Sequence, residues 1–341
     1  MVDSLNDIVV ECINCGHEVK TDFDWIEQRK VLTCSGCGSS FPIHAVYDMY
    51  YEQVPLVKDA IDLIISYAKQ PWTITNGKVG YSKKVEAFLK KGGFDSLLER
   101  ILSDVVKYGD SYLEIISDSK TKDIIELKPL EAKSVTIKLG KEIPYGRAFT
   151  GEREIEEFVV KNRSSERRLA PTDVIHSKSR TFLHYAPYGE SVMRIALRYI
   201  HYLRTSGANA LRLGAGWWVD YLENDICLGI GVPRIFLEKN YAKYGKPVLE
   251  YASTVLIHSV REAQEPIENS FRGQLFGQLI GEKDFREIPR LEFKKPHFEM
   301  ILKNGGYDFG EEIKNWKKAL DLKIITEEEY KKIISKYLGK S

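Results

Sequence analysis

The segment CINCGHEVKTDFDWIEQRKVLTCSGCGSSF limits the fold of this chain more than any other stretch. It holds two Cys-x2-Cys pairs, Cys12 with Cys15 and Cys34 with Cys37, separated by eighteen residues. Two residues between thiolates let one tight turn aim both sulfurs at a single ion, and Gly16, Gly36 and Gly38 supply backbone angles such turns need. Four thiolates complete a tetrahedral shell and leave no position for water, so the ion expected here is a structural Zn2+ rather than a catalytic one. A ribbon of about fifty residues has little core of its own and depends on such a staple. The sequence therefore predicts a zinc ribbon over residues 1–50.

A redox role for either pair would call for one Cys-x2-Cys beside a βαβ pattern, whereas here two pairs flank a hairpin-like stretch. His17 and His44 could each replace a thiol, but four cysteines already fill the shell, and both read as polar residues of an exposed ribbon. The fifth cysteine, Cys227, sits in an apolar stretch.

With 341 residues and 43% hydrophobic content, the chain can build a sizeable core. Lysine and arginine number 50 against 49 aspartate and glutamate, a formal charge of +1. No global basic field announces nucleic acid as a partner. No run of about eighteen uncharged apolar residues occurs, and MVDSLNDIVVEC lacks the layout of a signal peptide. The expectation is an intracellular chain, not secreted and without a membrane partner.

The rest of the chain predicts an α+β fold. Residues 51–190 begin with helices: VPLVKDAIDLIISYAK, YSKKVEAFLKK, and FDSLLERILSDVVKYG, which stops at Gly109. The period then shortens through SYLEII, KDIIELKPL, SVTIK, EEFVVK and DVIHSK, as expected of antiparallel strands. Between the last two, KNRSSERRLAPTD gathers Lys161, Arg163, Arg167 and Arg168; it is a candidate nucleic-acid contact, but the favoured expectation is a solvated hairpin loop. Residues 191–305 read as mainly helical, with Pro266 expected to kink a long helix. Residues 306–341 read as a helical hairpin in which Thr326 and Glu329 form a capping box.

Enzyme signatures are missing from this pattern. There is no GxxxxGK[ST], GxSxG or HExxH motif, and GIGVP is too short for a dinucleotide fingerprint. His176, His184 and His201 share a window rich in Ser, Tyr and Arg, yet have no fixed spacing to a nucleophile, so structural roles are expected for them. No catalytic residue or enzymatic activity is expected.

Four segments in fixed order carry a family resemblance. Lys107, Tyr108, Gly109 and Asp110 lie at the turn from helix to first strand, and IIELKPLEAKSVTIK follows as strand, proline and strand. Ile175, His176, Pro187, Tyr188, Gly189 and Ser191 form the next block, and Gly231, Val232, Pro233, Pro266 and Glu268 the last. From about Val54 to Leu279 this order resembles the portal proteins of tailed viruses. The resemblance implies a homo-oligomeric ring at one capsid vertex, through which double-stranded DNA passes non-specifically. It also implies capsid, scaffold or terminase proteins as partners, in a virion or host cytoplasm.

The chain departs from that family in two ways. Portals place two stem helices and a clip between the PYGES block and the GVP turn, whereas only 25 residues separate Leu203 from Gly229. At about 1.5 Å per helical residue, a reduced or missing tunnel end is expected. The ribbon is an addition, expected at the ring's periphery. The competing readings are a zinc-ribbon adaptor binding nucleic acid or protein, a degenerate provirus portal without a channel, and a hydrolase built on the His176–His201 window.

Overall fold

Two small hairpins open the chain. Strands β1 (Asp7–Glu11) and β2 (Glu18–Asp22) pair antiparallel, as do β3 (Val31–Thr33) and β4 (Ser40–Pro42). Each strand is short and buries few apolar groups, chiefly Ile8, Val10, Val19, Leu32 and Phe41. The computed structural model describes residues 7–22, 31–145, 148–162, 165–179, 187–212, 216–238, 246–282, 284–296, 301, 317 and 326–331.

Helix α1 (Ile43–Gln53) follows β4 directly and buries Ile43, Val46, Tyr47 and Tyr50. The expected ribbon boundary at residue 50 therefore falls inside a helix. Pro55 opens α2 (Pro55–Ala68), where its missing amide proton costs nothing. Helices α3 (Val79–Lys91) and α4 (Phe94–Tyr108) come next. Gly93 and Gly109 bound α4 with φ of 65° and 84°, a conformation that disfavours a Cβ. Phe94, Leu98, Ile101, Leu102, Val105 and Val106 give α4 one buried face.

Strand β6 (Asp110–Ser117) is the centre of a three-stranded sheet between β7 (Ile124–Leu130) and β11 (Val174–Lys178). Its first six residues are all buried, because the sheet is covered on both faces. A second antiparallel sheet of β8 (Val135–Tyr145), β9 (Ala148–Asn162) and β10 (Ser165–Leu169) lies against it. Rings bridge the two sheets: Phe158 of β9 meets Tyr112 of β6 at 5.8 Å and His176 of β11 at 5.7 Å. Strand β10 runs where a solvated loop was expected; it pairs residue for residue with β9 from Ser165 to Leu169.

Beyond the sheets lie α5 (Met193–Arg212), α6 (Gly216–Ile230), α7 (Lys246–Ser270) and the short α8 (Gly277–Ile280). Gly229 sits against Ala196, where a Cβ would come within 3.2 Å of backbone, so α5 and α6 are tightly apposed and antiparallel. Two helices of about 30 and 22 Å cover residues 193–230, and the first begins ten residues before Leu203, so the 25-residue interval itself holds only the second half of α5 and most of α6. Only residues 213–215 connect them, too few for clip strands.

Pro266 stands inside α7 rather than ending it, and the chain passes into a π-helical turn at Phe271–Phe276. Strand β5 (Trp72–Thr75) pairs with β12 (Arg290–Phe293), a union of distant segments that periodicity does not reveal. At the tail, the Thr326 amide and hydroxyl both donate to Glu329 at 2.8 Å, and the Glu329 amide donates back to Thr326 Oγ1 at 3.2 Å. The capping box is formed; most of the expected hairpin over 306–341 lies outside the described residues. One contiguous core runs from Ile8 to Ile301, so the ribbon shares its interior with the body.

Candidate functional site

The two Cys-x2-Cys turns are near copies of each other. In the first, Cys12 N–H donates to His17 O and Gly16 N–H to Cys12 O, both at 2.9 Å. In the second, Cys34 N–H donates to Ser39 O and Gly38 N–H to Cys34 O, again at 2.9 Å. Gly16 and Gly38 adopt φ of 71° and 72°, which turns each loop back over its own strand. Cys12, Cys15, Cys34 and Cys37 converge so that their sulfurs all lie within 4.8 Å of one another.

The sulfur spacing fits an ion. Cys12 and Cys37 lie 3.7 Å apart, and Cys15 and Cys34 3.6 Å apart. A tetrahedron with metal–sulfur bonds of about 2.3 Å has edges of about 3.8 Å. All four cysteines are free thiols. They do not ionise alike: the Ser39 hydroxyl and amide lower Cys37 to about 6. Cys15 goes the other way; the His17 amide lowers it, yet the Cys37 thiol, desolvation and the Cys34 and Cys12 thiols together raise it to about 12. Four negative sulfurs at this spacing repel unless a cation sits among them, so the cluster is suited to a metal ion.

Neither candidate histidine joins the cluster. The His17 ring lies over Gly36, where a Cβ would come within 2.9 Å of it. His44 is buried in α1, edge-on to Tyr108 at 5.2 Å, and is not the exposed ribbon residue expected. Cys227 is buried in α6, and burial raises it to about 12.

The ribbon docks on α5. Glu11 and Glu18 oppose each other across the first hairpin, and α5 meets them with Arg204 and His201. Arg204 Nε lies 2.9 Å from Glu11 Oε1, and His201 Nε2 lies 3.2 Å from Glu18 Oε1. The sequence hinted at this contact only through acidic residues flanking the first Cys-x2-Cys.

A second constellation joins the motifs that stand 79 residues apart at Asp110 and Gly189. Asp110, fully buried, accepts the Gly189 amide on both carboxylate oxygens, at 2.9 and 2.8 Å. His176 Nε2 lies 2.5 Å from Asp110 Oδ1, and its ring stacks on Tyr112 at 4.6 Å. Gly109 and Gly189 are in backbone contact: a Cβ on Gly189 would overlap the Gly109 carbonyl oxygen. Ser179 N–H donates to Gly109 O at 2.8 Å, and Ile137 N–H donates to the Tyr188 hydroxyl at 2.9 Å. Ser191 Oγ then accepts the Met193 amide at 3.1 Å, at the start of α5.

These contacts place His176 at the junction of β6, β11 and the turn before α5. His201 serves a different junction, and His184 lies outside the described residues. His176 and His201 therefore do not converge on one site.

The last motif is also a junction. Gly231, at φ of 85°, has no room for a side chain beside Ser259 of α7, whose hydroxyl donates to Gly231 O at 2.8 Å. Glu268 takes both terminal nitrogens of Arg261 at 3.0 Å and the amide of Phe293 at 3.2 Å, which anchors β12.

Two of the four residues of the basic cluster are paired with carboxylates. Arg167 makes a two-pronged pair with Glu114 of β6, 2.9 Å on each prong. Arg168 reaches Glu157 and Glu166 at 3.4 Å. Lys161 is exposed in β9, and Arg163 lies outside the described residues. Glu114 was missed as a partner, although a lone carboxylate in the apolar strand SYLEII signals one.

No protein-family model matches the chain, and no curated protein sequence matches it. Solved structures do share its fold. One, the virion of a native gene transfer agent (GTA) particle, matches with a TM-score of 0.54 at 12% identity over 84% of this chain and 91% of that one. The neck of an empty GTA particle computed with C6 symmetry matches at 0.56 and 13%, over 81% and 93%. The neck of a native GTA particle computed with C12 symmetry matches at 0.52 and 12%, over 83% and 90%. The chain thus shares its fold with chains of gene transfer agent particles. Among the described residues, no helix is long and apolar enough to cross a membrane.

Proposed function

We propose that this chain is a portal-like structural subunit, assembled as a homo-oligomeric ring at the head–tail region of a phage-like particle, with a structural Zn2+ in its four-thiol centre. The supporting observation is the extent of the fold match: it spans at least 81% of this chain and at least 90% of each neighbour's. The short link between α5 and α6 therefore leaves at most a tenth of those chains without a counterpart, which weighs against a truncated relic.

In this reading the chain is not an enzyme; it positions other components. A ring of identical subunits needs a heterologous interface that closes, and its near-neutral charge lets double-stranded DNA pass without being gripped. Capsid, scaffold and terminase proteins are the partners to expect, and the virion the location. The adaptor reading weakens because Arg167 and Arg168 are engaged by carboxylates.

The test is the native mass of the zinc-loaded protein, with negative-stain images of any large species. A closed ring of fixed copy number supports the reading. A monomer or dimer that persists at high concentration overturns it.

A further inference from the structure

The first Cys-x2-Cys turn carries a charge arrangement that metal binding alone does not require. Glu11 immediately precedes Cys12, and Glu18 follows Cys15 by three residues; the two are direct cross-strand partners. Like charges so placed repel across a hairpin. Glu11 is moreover only 8% exposed, a position where an unpaired carboxylate is strongly disfavoured.

One turn of α5 supplies what this pair lacks. Arg204 meets Glu11 at 2.9 Å, while His201 stands 3.2 Å from Glu18 and 4.0 Å from Glu11. Arg204 also donates to Gln53 at the end of α1 at 2.9 Å, and lies 5.8 Å over the ring of Tyr50. Tyr50 in turn accepts the Glu11 amide at 3.4 Å. A single helical turn thus grips both strands of the first hairpin and the helix that leaves the second.

The two hairpins meet at the sulfurs and where the His17 ring lies over Gly36. Cys12 and Cys15 belong to one, Cys34 and Cys37 to the other, and the near contacts Cys12–Cys37 and Cys15–Cys34 both cross between them. Without a cation only weak thiol–thiol contacts join those sulfurs, and hairpins this short are marginal alone. The turn that fixes Glu11 and Glu18 opposite Arg204 and His201 is the turn the ion closes.

We propose that the ion in the four-thiol centre is a latch on α5. When it is bound, the Glu11–Glu18 pair is held against Arg204 and His201, and the hairpin clamps the middle of the helix. When it leaves, the clamp opens and the α5–α6 hairpin is released while the β6–β7–β11 sheet stays folded. The inference rests on the centre holding an ion; it does not depend on ring formation.

The test is hydrogen–deuterium exchange of the full chain, zinc-loaded and chelator-stripped, with bound zinc counted in parallel by a colorimetric indicator. Stripping is expected to speed exchange in peptides over residues 197–208 by about tenfold or more, with β6 and β11 unchanged. The double variant His201→Ala/Arg204→Ala should still bind one zinc per chain, yet exchange fast in α5 whether loaded or stripped. If the double variant does not fold, the wild-type comparison alone decides. A chain that binds zinc and whose α5 exchanges equally with and without it overturns the latch and leaves the metal centre standing. A uniform rise throughout the chain also overturns it, since the ion would then be a global stabiliser. A chain that takes up no zinc overturns the metal reading and the latch together.

Discussion

Both carboxylate oxygens of Asp110 accept the one amide proton of Gly189, so the first residue of β6 sets the turn that launches α5. His176 closes the arrangement from β11. Asp110→Asn puts an amide group where an acceptor is needed and leaves buried donors unmet. We expect a loss of about 2–4 kcal/mol, read as a lower urea midpoint with an unchanged slope.

The Gly109–Gly189 contact leaves no space for a methyl group. Gly189→Ala must force two backbone segments apart, and a loss beyond about 3 kcal/mol, or insoluble protein, is the expected result. Gly80, near the start of α3, has nothing within 4 Å of its Cβ direction. Gly80→Ala should leave the protein as stable or raise it by about 0.5–1 kcal/mol. Thermal melts of the two variants side by side check both outcomes.

Asp104 on α4 provides a pH signature. Burial raises it to about 7; Arg100 and Lys107 pull it down, Asp48 pushes it up, and Lys133 pulls it down. In the unfolded chain an aspartate titrates near 3.9. Between about pH 4 and 7 the folded state holds a proton the unfolded state has released, so this residue's contribution fades as pH rises through 7. Asp104→Asn should match the wild type near pH 4.5 and exceed it by roughly 1–3 kcal/mol at pH 8. Denaturant titrations across that range would show a flatter slope for the variant.

The arginines of β10 separate structure from DNA contact. Glu114 is 7% exposed, so Arg167→Ala strands a buried carboxylate and should cost about 2–4 kcal/mol. Arg168→Ala removes only long, exposed contacts and should change stability by less than about 0.5 kcal/mol. Neither substitution should alter the salt slope of any binding to duplex DNA in a filter or fluorescence titration. A reduced slope would assign Arg167 or Arg168 to a phosphate contact instead.

Cys34, like Cys12, is almost fully buried, so water does not readily take the place of its thiol. Cys34→Ser should weaken zinc retention more than about 100-fold in chelator competition. Cys227→Ala should leave it unchanged, since that thiol is buried in α6 away from the cluster.

What was legible in the sequence is what depends on near neighbours. The two thiol turns, the glycine stops of α4, the apolar, β-branched content of β6 and the capping box at Thr326 each follow from residues within one or two turns. The missed features need partners far along the chain. Strand β10 shows no alternation because its first four residues are all exposed, and α1 was hidden because it begins where a strand ends. Asp110 and Gly189 were both visible as motif residues, yet nothing local says that one binds the other. Glu11, Glu18 and Arg204 read as ordinary surface charges until α5 is placed against the ribbon.

The pairing of β5 with β12 sets an order of events during synthesis. Trp72–Thr75 emerges early, but its partner Arg290–Phe293 is made more than two hundred residues later. At ribosomal rates of about 5–20 residues per second, that strand edge waits roughly 10–40 s. The thiol centre, complete within the first 42 residues, can take up its ion well before then. The nascent chain thus gains its first fixed point at the ribbon, while the edge at Trp72 stays open to other strands until the last part of the body arrives.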